Sequence, residues 1–226
     1  MMNLQHVSKS ARKKAKKYRL TADAAFDEVI DRCVEQHGEN WLYPPMRAAF
    51  RALHHWGKAR DAAAAVDGAG AGAGVEMVGG GAAAGGGGGA EAGGTRPPLP
   101  AGFPALADEV RFHSFEVWSA DGSLAAGEFG AVVGGVYTSF TGFFDHAFPG
   151  AGTVQLCGMA RLLQDAGFAF WDLGQEIPYK VGLGASLLPR AEFLAEFRAA
   201  RDTTTMVGVG TPLHTLPRAT APAVLL

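Results

Sequence analysis

From Ala59 to Asp108 the chain is mostly alanine and glycine, reading AGAGAGVEMVGGGAAAGGGGGAEAGG and then, one residue on, RPPLP. So few bulky side chains cannot offset the entropy of ordering the stretch, which therefore reads as a flexible insertion over residues 59–110. Whatever folds must be built from the segments on either side, 20–58 and 111–201. The run GGGGG is no phosphate loop, because no Lys-Ser or Lys-Thr follows to hold a phosphate. Residues 202–226, with TTT and PLHTLPRATAP, have no period and read as a disordered tail.

The flanking segments are patterned. Thr21 reads as the cap of a helix whose face is Phe26, Val29, Ile30, Cys33 and Val34, with Asp23 in its first turn. A second helix follows Pro44-Pro45, with Met46, Ala49, Phe50 and Leu53 inward and Gly57 as its stop. Beyond the insertion the period becomes two. HSFEVWSA, a turn at Asp121-Gly122, SLAAGEFGAVV and GVYTSFTGF predict an antiparallel meander. A helix from about Gly152 to Ala166, a strand FAFWDL and a helix opening near Pro189 complete the pattern. This order predicts an α+β domain of GNAT-like acyltransferase type, a central, mostly antiparallel sheet flanked by helices.

Net charge is only −2, yet Lys9, Arg12, Lys13, Lys14, Lys16, Lys17 and Arg19 precede the first acid. On a helix, positions 9, 12, 13, 16 and 17 form one cationic stripe suited to a phosphate backbone. No apolar run approaches membrane-spanning length. Cys33 and Cys157 fall on apolar helix faces and read as buried thiols, and the adjacent His54 and His55 point in different directions, against a metal site. No cofactor is expected.

The words FDEVIDRC, W-x-x-P-x-M-x-x-A-F-x-x-LH-x-x-G, HSFEVW, GxxxG-x-x-Y-x-x-x-x-x-F and L-G-A-x-x-x-P-R-x-x-FL occur in that order. Together they resemble the leucyl/phenylalanyl-tRNA protein transferases, over residues 18–58 and 111–201. The resemblance implies transfer of an amino acid from aminoacyl-tRNA to the amino terminus of an acceptor protein, marking it for degradation, without cofactor, metal or membrane, in the cytoplasm. It gives residues 1–19 the role of a tRNA-binding helix through Lys9, Arg12, Lys13, Lys16 and Lys17. It gives Trp118 the terminal adenosine of the tRNA, and Asp172 the family's catalytic aspartate. Parity along FAFWDL puts Asp172 on the side of Phe168 and Phe170, at a strand end where a carboxylate can orient an incoming ammonium; a bare cap on the turn at Gly174 is the bland alternative.

Several positions depart from the family pattern. The family's catalytic glutamine falls on Gly174, leaving Gln175 as the nearby amide. The glutamate of GESMF falls on Phe140, and two methionines of the donor pocket fall on Glu128 and Gly142. Tyr137 and Trp171 keep that pocket aromatic. A buried carboxylate against a Leu or Phe side chain is unfavourable, so either the donor carries a polar group or Glu128 turns outward to a partner such as Lys180. The family's G-x-F-P-M-like segment is absent before the basic helix, so either the chain as given starts late or that part of the site is missing. The variant WDLG…YK…LGA resembles a branch found in photosynthetic eukaryotes, which would make a plastid location an alternative. Two rival activities stand beside transfer: an inactive tRNA-binding homologue, and an acetyl-CoA-dependent acetyltransferase using YKVGLGA as its pyrophosphate loop.

Overall fold

The structure is a computed structural model describing residues 9–70 and 110–202, with side chains other than those of residues 64–70. The expected tail from residue 203, and residues 71–109 of the expected insertion, lie outside the described residues. The alternating segments form β2 (Val110–Ser119), β3 (Leu124–Val133) and β4 (Val136–Phe144), paired antiparallel, with Glu128 opposite Gly142. The Asp121-Gly122 turn joins β2 to β3, with Gly122 at φ +88°, where a side chain would be strained. Helix α4 (Ala151–Asp165) crosses over to β5 (Phe170–Asp172), which lies parallel to β4. A short strand, β1 (Tyr18–Ala22), pairs antiparallel with the far end of β2 and completes the order β1-β2-β3-β4-β5. A five-stranded, mostly antiparallel sheet flanked by helices is the GNAT-like α+β architecture.

Apolar burial divides the helices between the two faces of the sheet. Val154, Met159 and Leu163 of α4 pack against Phe115, Val117, Tyr137 and Trp171. Phe26, Val29, Ile30 and Cys33 of α2 (Phe26–His37) pack with Phe129 and Phe143. Phe193, Phe197 and Ala200 of α6 (Arg190–Arg201) cover Val136 and Phe170. Because successive strand residues point to opposite faces, Trp171 and Phe170 end up in different clusters. Both cysteines are buried free thiols. The basic helix α1 (Lys9–Ala15) docks by Ala11 and Ala15, both buried, and leaves its cationic side chains exposed.

Three expectations are corrected. Thr21 does not cap α2; it belongs to β1, and Ala25 takes the N-cap position without a side-chain bond of its own. The capping acceptor comes from β2 instead. Glu116 accepts hydrogen bonds from the Ala24 and Ala25 amides at 3.3 Å and from the Thr21 and Ser114 hydroxyls at 2.5 Å. Asp23, expected in the first helical turn, is buried at φ +55° and accepts from His113 Nδ1 at 2.7 Å and the Ser114 amide at 3.0 Å. Burial works to raise its carboxyl, but the charge and hydrogen bond of His113 hold it below the usual range. His54 closes the cluster, stacked on Phe26 at 3.9 Å, with burial pushing its imidazole down to about 4.

Gly57 does not stop the second helix. Helix α3 runs from Pro44 to Gly70, into the stretch read as an insertion, because the alanines after Lys58 are strong helix formers and one glycine costs only about 1 kcal/mol. Gly57 makes room there: a Cβ at that position would lie 3.2 Å from Arg111 Cδ. One turn on, buried Asp61 accepts from Arg111 Nε at 3.3 Å, so this part of the alanine-rich run is tied to β2.

Candidate active site

Strand β5 pairs with β4 only from Val136 to Thr138 and ends at Asp172, while β4 runs on to Phe144. Two cavities open beside that unequal end. The first, about 250 Å³, is lined by Asp172, Leu173, Gly174 and Gln175, by Lys180 of α5 (Pro178–Gly182), and by Phe193 of α6. The second, about 300 Å³, is lined by Glu128, Ser139, Phe140, Gly142, Gln155 and Tyr179. Ile177 and Lys180 line both.

Asp172 is half-buried and shares the Phe170 side of its strand, the face covered by α6. Its Oδ1 accepts from the Gly174 amide at 2.9 Å, and Gly174 turns at φ +72°. The turn-capping contact is therefore present, and the same carboxylate also lines the first cavity. Gln175 lines that cavity from an exposed position in the loop. Lys180 donates to the Leu173 carbonyl at 2.7 Å, which fixes α5 over the end of β5.

Glu128 does not turn outward. It is 6% exposed, and its Oε1 accepts from Ser139 Oγ at 2.6 Å and from the Tyr137 hydroxyl at 3.2 Å. Ser139 in turn accepts from Trp171 Nε1 at 2.9 Å, so Trp171, Ser139, Tyr137 and Glu128 form one connected network. Burial pushes the Glu128 carboxyl up to about 7, against the hydrogen bonds of Ser139 and Tyr137 and the charge of Lys180. Gly142 makes room for it: any side chain there would set its Cβ 2.8 Å from that of Glu128. Phe140 lines the same cavity, and its ring packs against Phe50, Phe112 and Phe129 on the α2 face of the sheet.

Trp118 lines neither cavity. It is half-buried, donates to Thr21 Oγ1 at 2.7 Å and has the Arg19 guanidinium 5.8 Å from its ring. Of the four indoles, Trp41 has the most open face, 40% exposed, and is backed by Phe50 and Phe129. Lys9, Arg12 and Lys13 lie on α1, and Lys16 and Lys17 continue in the turn after it. In YKVGLGA, the residues after α5 do not lead into a helix; α6 begins only at Arg190. Among the described residues no helix is long and apolar enough to cross a membrane, and no three metal-ligating side chains come together. Ser139 and the Asp23–His113 pair escaped the sequence reading because their partners are supplied by strand pairing, with no local spacing to mark them.

A model of the leucyl/phenylalanyl-tRNA protein transferases matches residues 1–92 and 96–198. The chain belongs to this family. It is 27% identical over 199 residues to a leucyl/phenylalanyl-tRNA protein transferase of Nitratidesulfovibrio vulgaris strain DP4, covering 86% of this chain and 61% of that one. Relatives of the same description from Ruegeria pomeroyi, 24% identical, and Anaeromyxobacter dehalogenans strain 2CP-C, 27% identical, cover 88% and 90% of the chain. It spans about three fifths of the length of the first of these relatives. Within the transferase family, this chain sets Glu128 and Gly142 opposite each other in one strand pair.

Proposed function

We propose that the protein transfers an amino acid from aminoacyl-tRNA to the amino terminus of an acceptor protein, in the cytoplasm where charged tRNA is made. Family membership supports the reaction class, and the observation that carries it to this chain is the pair of carboxylate-bearing cavities meeting at Ile177 and Lys180. The reaction joins two reactants that each bring an amine. The acceptor nitrogen attacks the ester carbonyl, the bond to the ribose oxygen breaks, and the proton lost by the amine ends on that oxygen. Asp172, at a strand end beside the exposed loop Gly174–Glu176, stands where a polypeptide can approach from solvent, and takes or orients the acceptor's proton. The exposed cations of α1 hold tRNA phosphates. Trp41 and Trp118 are the indoles open enough to stack on the terminal adenosine, a contact worth about 1–3 kcal/mol.

The test is incubation of the full chain with a mixture of aminoacylated tRNAs and a peptide beginning with Lys or Arg, followed by mass spectrometry. A peptide heavier by one amino-acid residue is the expected product. Saturable tRNA binding with no product from any donor would instead establish the inactive tRNA-binding homologue, a reading favoured by Gly174 standing where the family has its glutamine. Acetylation of the peptide from acetyl-CoA would establish the third.

A further inference from the structure

Among the described residues, β5 is the last strand of the sheet, paired with β4 on one side only. The parallel register turns alternate residues toward β4: the Phe170 amide donates to the Gly135 carbonyl at 3.3 Å, so Phe170 and Asp172 direct their backbone groups inward. Trp171, between them, directs its N–H and C=O outward, and no described residue bonds either group. An edge of this kind is a template for one more extended chain. Space for that chain is present along it. A third cavity, about 180 Å³, is lined by Leu163, Gln164, Phe168 and Ala169 at the start of β5, and Phe170 and Trp171 line both it and the Asp172 cavity. These two side chains point to opposite faces of the sheet, so a cavity bounded by both wraps the strand's free edge. On the Asp172 side, residues 185–188 line the space as well, and Leu187 among them is 64% exposed.

The geometry points to the free edge of β5 as the docking strand for the acceptor polypeptide, which runs antiparallel to β5 from the Asp172 cavity into the third cavity. The choice of occupant rests on the transferase reading. It follows from chemistry: the open N–H and C=O of Trp171 call for a peptide group that offers both complements, which a polypeptide carries at every residue, whereas the donor is one residue held by an ester. It follows also from continuity, since a chain whose amine is at Asp172 must leave along a surface, and the edge begins there. In an antiparallel pair the residue opposite Trp171 exchanges both hydrogen bonds with it. From Asp172 back to Ala169 is roughly 10 Å, about three residues of extended chain. Residues two to four of the acceptor therefore meet the edge. Such an edge reads backbone and leaves sequence nearly free, so the acceptors it admits share an extended, unfolded start.

The probe is the pentapeptide Arg-Ala-Ala-Leu-Ala, compared with argininamide and with copies of the peptide N-methylated at residue two, three or four. The pentapeptide should bind the full chain more tightly than argininamide, and only the pentapeptide should slow hydrogen exchange of the Trp171 amide. Methylation of one nitrogen, that of the residue opposite Trp171, should weaken binding roughly tenfold, and methylation of its neighbours should change it little. None of these readings needs a variant to fold. Gln164→Trp, at an exposed position on α4, fills the third cavity and should weaken the pentapeptide while leaving argininamide as it was. Equal binding of pentapeptide and argininamide, a methyl scan that is flat or uniform, or a Gln164→Trp protein that binds the pentapeptide as the wild type does overturns the docking edge. So does a Trp171 amide already slow to exchange in the free protein: slowing that grows with protein concentration assigns the edge to a second copy, and slowing independent of concentration shows it covered by the chain itself. If the edge signature holds but no aminoacyl-tRNA yields product, the transferase reading falls and the polypeptide edge stands; if product forms and the methyl scan is flat, the edge falls and the transferase stands.

Discussion

Glutamine at position 128 keeps the shape and an acceptor oxygen of Glu128 while removing its charge, so the cost of burying that charge can be measured there. Burial raises the folded carboxyl from 4.5 to about 7. A carboxyl whose folded pKa lies above its unfolded one stabilises the fold fully below pH 4.5, and that contribution is lost as pH rises to about 7. The shift corresponds to about 3 kcal/mol. Glu128→Gln should therefore raise the thermal midpoint by several degrees at pH 8 and change it little at pH 4, which a pair of calorimetric scans will show. Asp172→Asn is expected to lower kcat by about 10²–10⁴ with aminoacyl-tRNA binding intact, the size of a lost proton acceptor; an unchanged kcat would reduce Asp172 to the cap of the Gly174 turn.

Most elements were legible in the sequence, and those that were not depended on distant partners. The meander showed because Phe115, Val117 and Ala126 alternate with residues of the other face, and α6 because Pro189 cannot continue a preceding helix but can open one. β1 was hidden: YRLTA alone carries too short an alternation, and its partners lie almost a hundred residues away at Phe115–Ser119. Thr21 looked like a cap, but its hydroxyl serves Glu116 and Trp118 across the sheet. Composition placed the boundary of the low-complexity stretch at residue 59, whereas packing carries α3 past it to Asp61 and beyond. At the site, Asp172 and Glu128 were visible, but Ser139 was not, because only the sheet brings it to Glu128. Two deletions exploit the helix boundary. Removing residues 71–108 and closing the gap with a short linker should leave the thermal transition nearly unchanged, as the composition of that stretch predicts little burial and a change in the length of a connection costs only about 0.6 kcal/mol per doubling. Removing 59–108 also takes Asp61 from buried Arg111 and should lower stability by roughly 3 kcal/mol or more; equal midpoints for the two deletions would show that the ion pair contributes nothing.

Over the whole molecule, the exposed cations of α1 and the two carboxylate-bearing cavities are separate features of the surface. Ala11 and Ala15 anchor α1 to the body, so its cations can be reversed without disturbing the core. Lys13→Glu, Lys16→Glu and Lys17→Glu together should leave the fold intact and flatten the salt dependence of tRNA binding by nearly one unit of slope per lost phosphate contact. An unchanged slope, measured by filter binding over a range of salt, would remove α1 from the tRNA surface. Because β5 stops at Asp172, the two cavities share Ile177 and Lys180 as a common wall, with Glu128 on the α4 face and Asp172 on the α6 face. Under the proposed transfer, an extended peptide that reaches past that wall would lie in both cavities at once. Such a product would be a two-point ligand, which binds more tightly than either half. Departure of the finished protein would then govern turnover, and a short product peptide should inhibit in competition with both substrates.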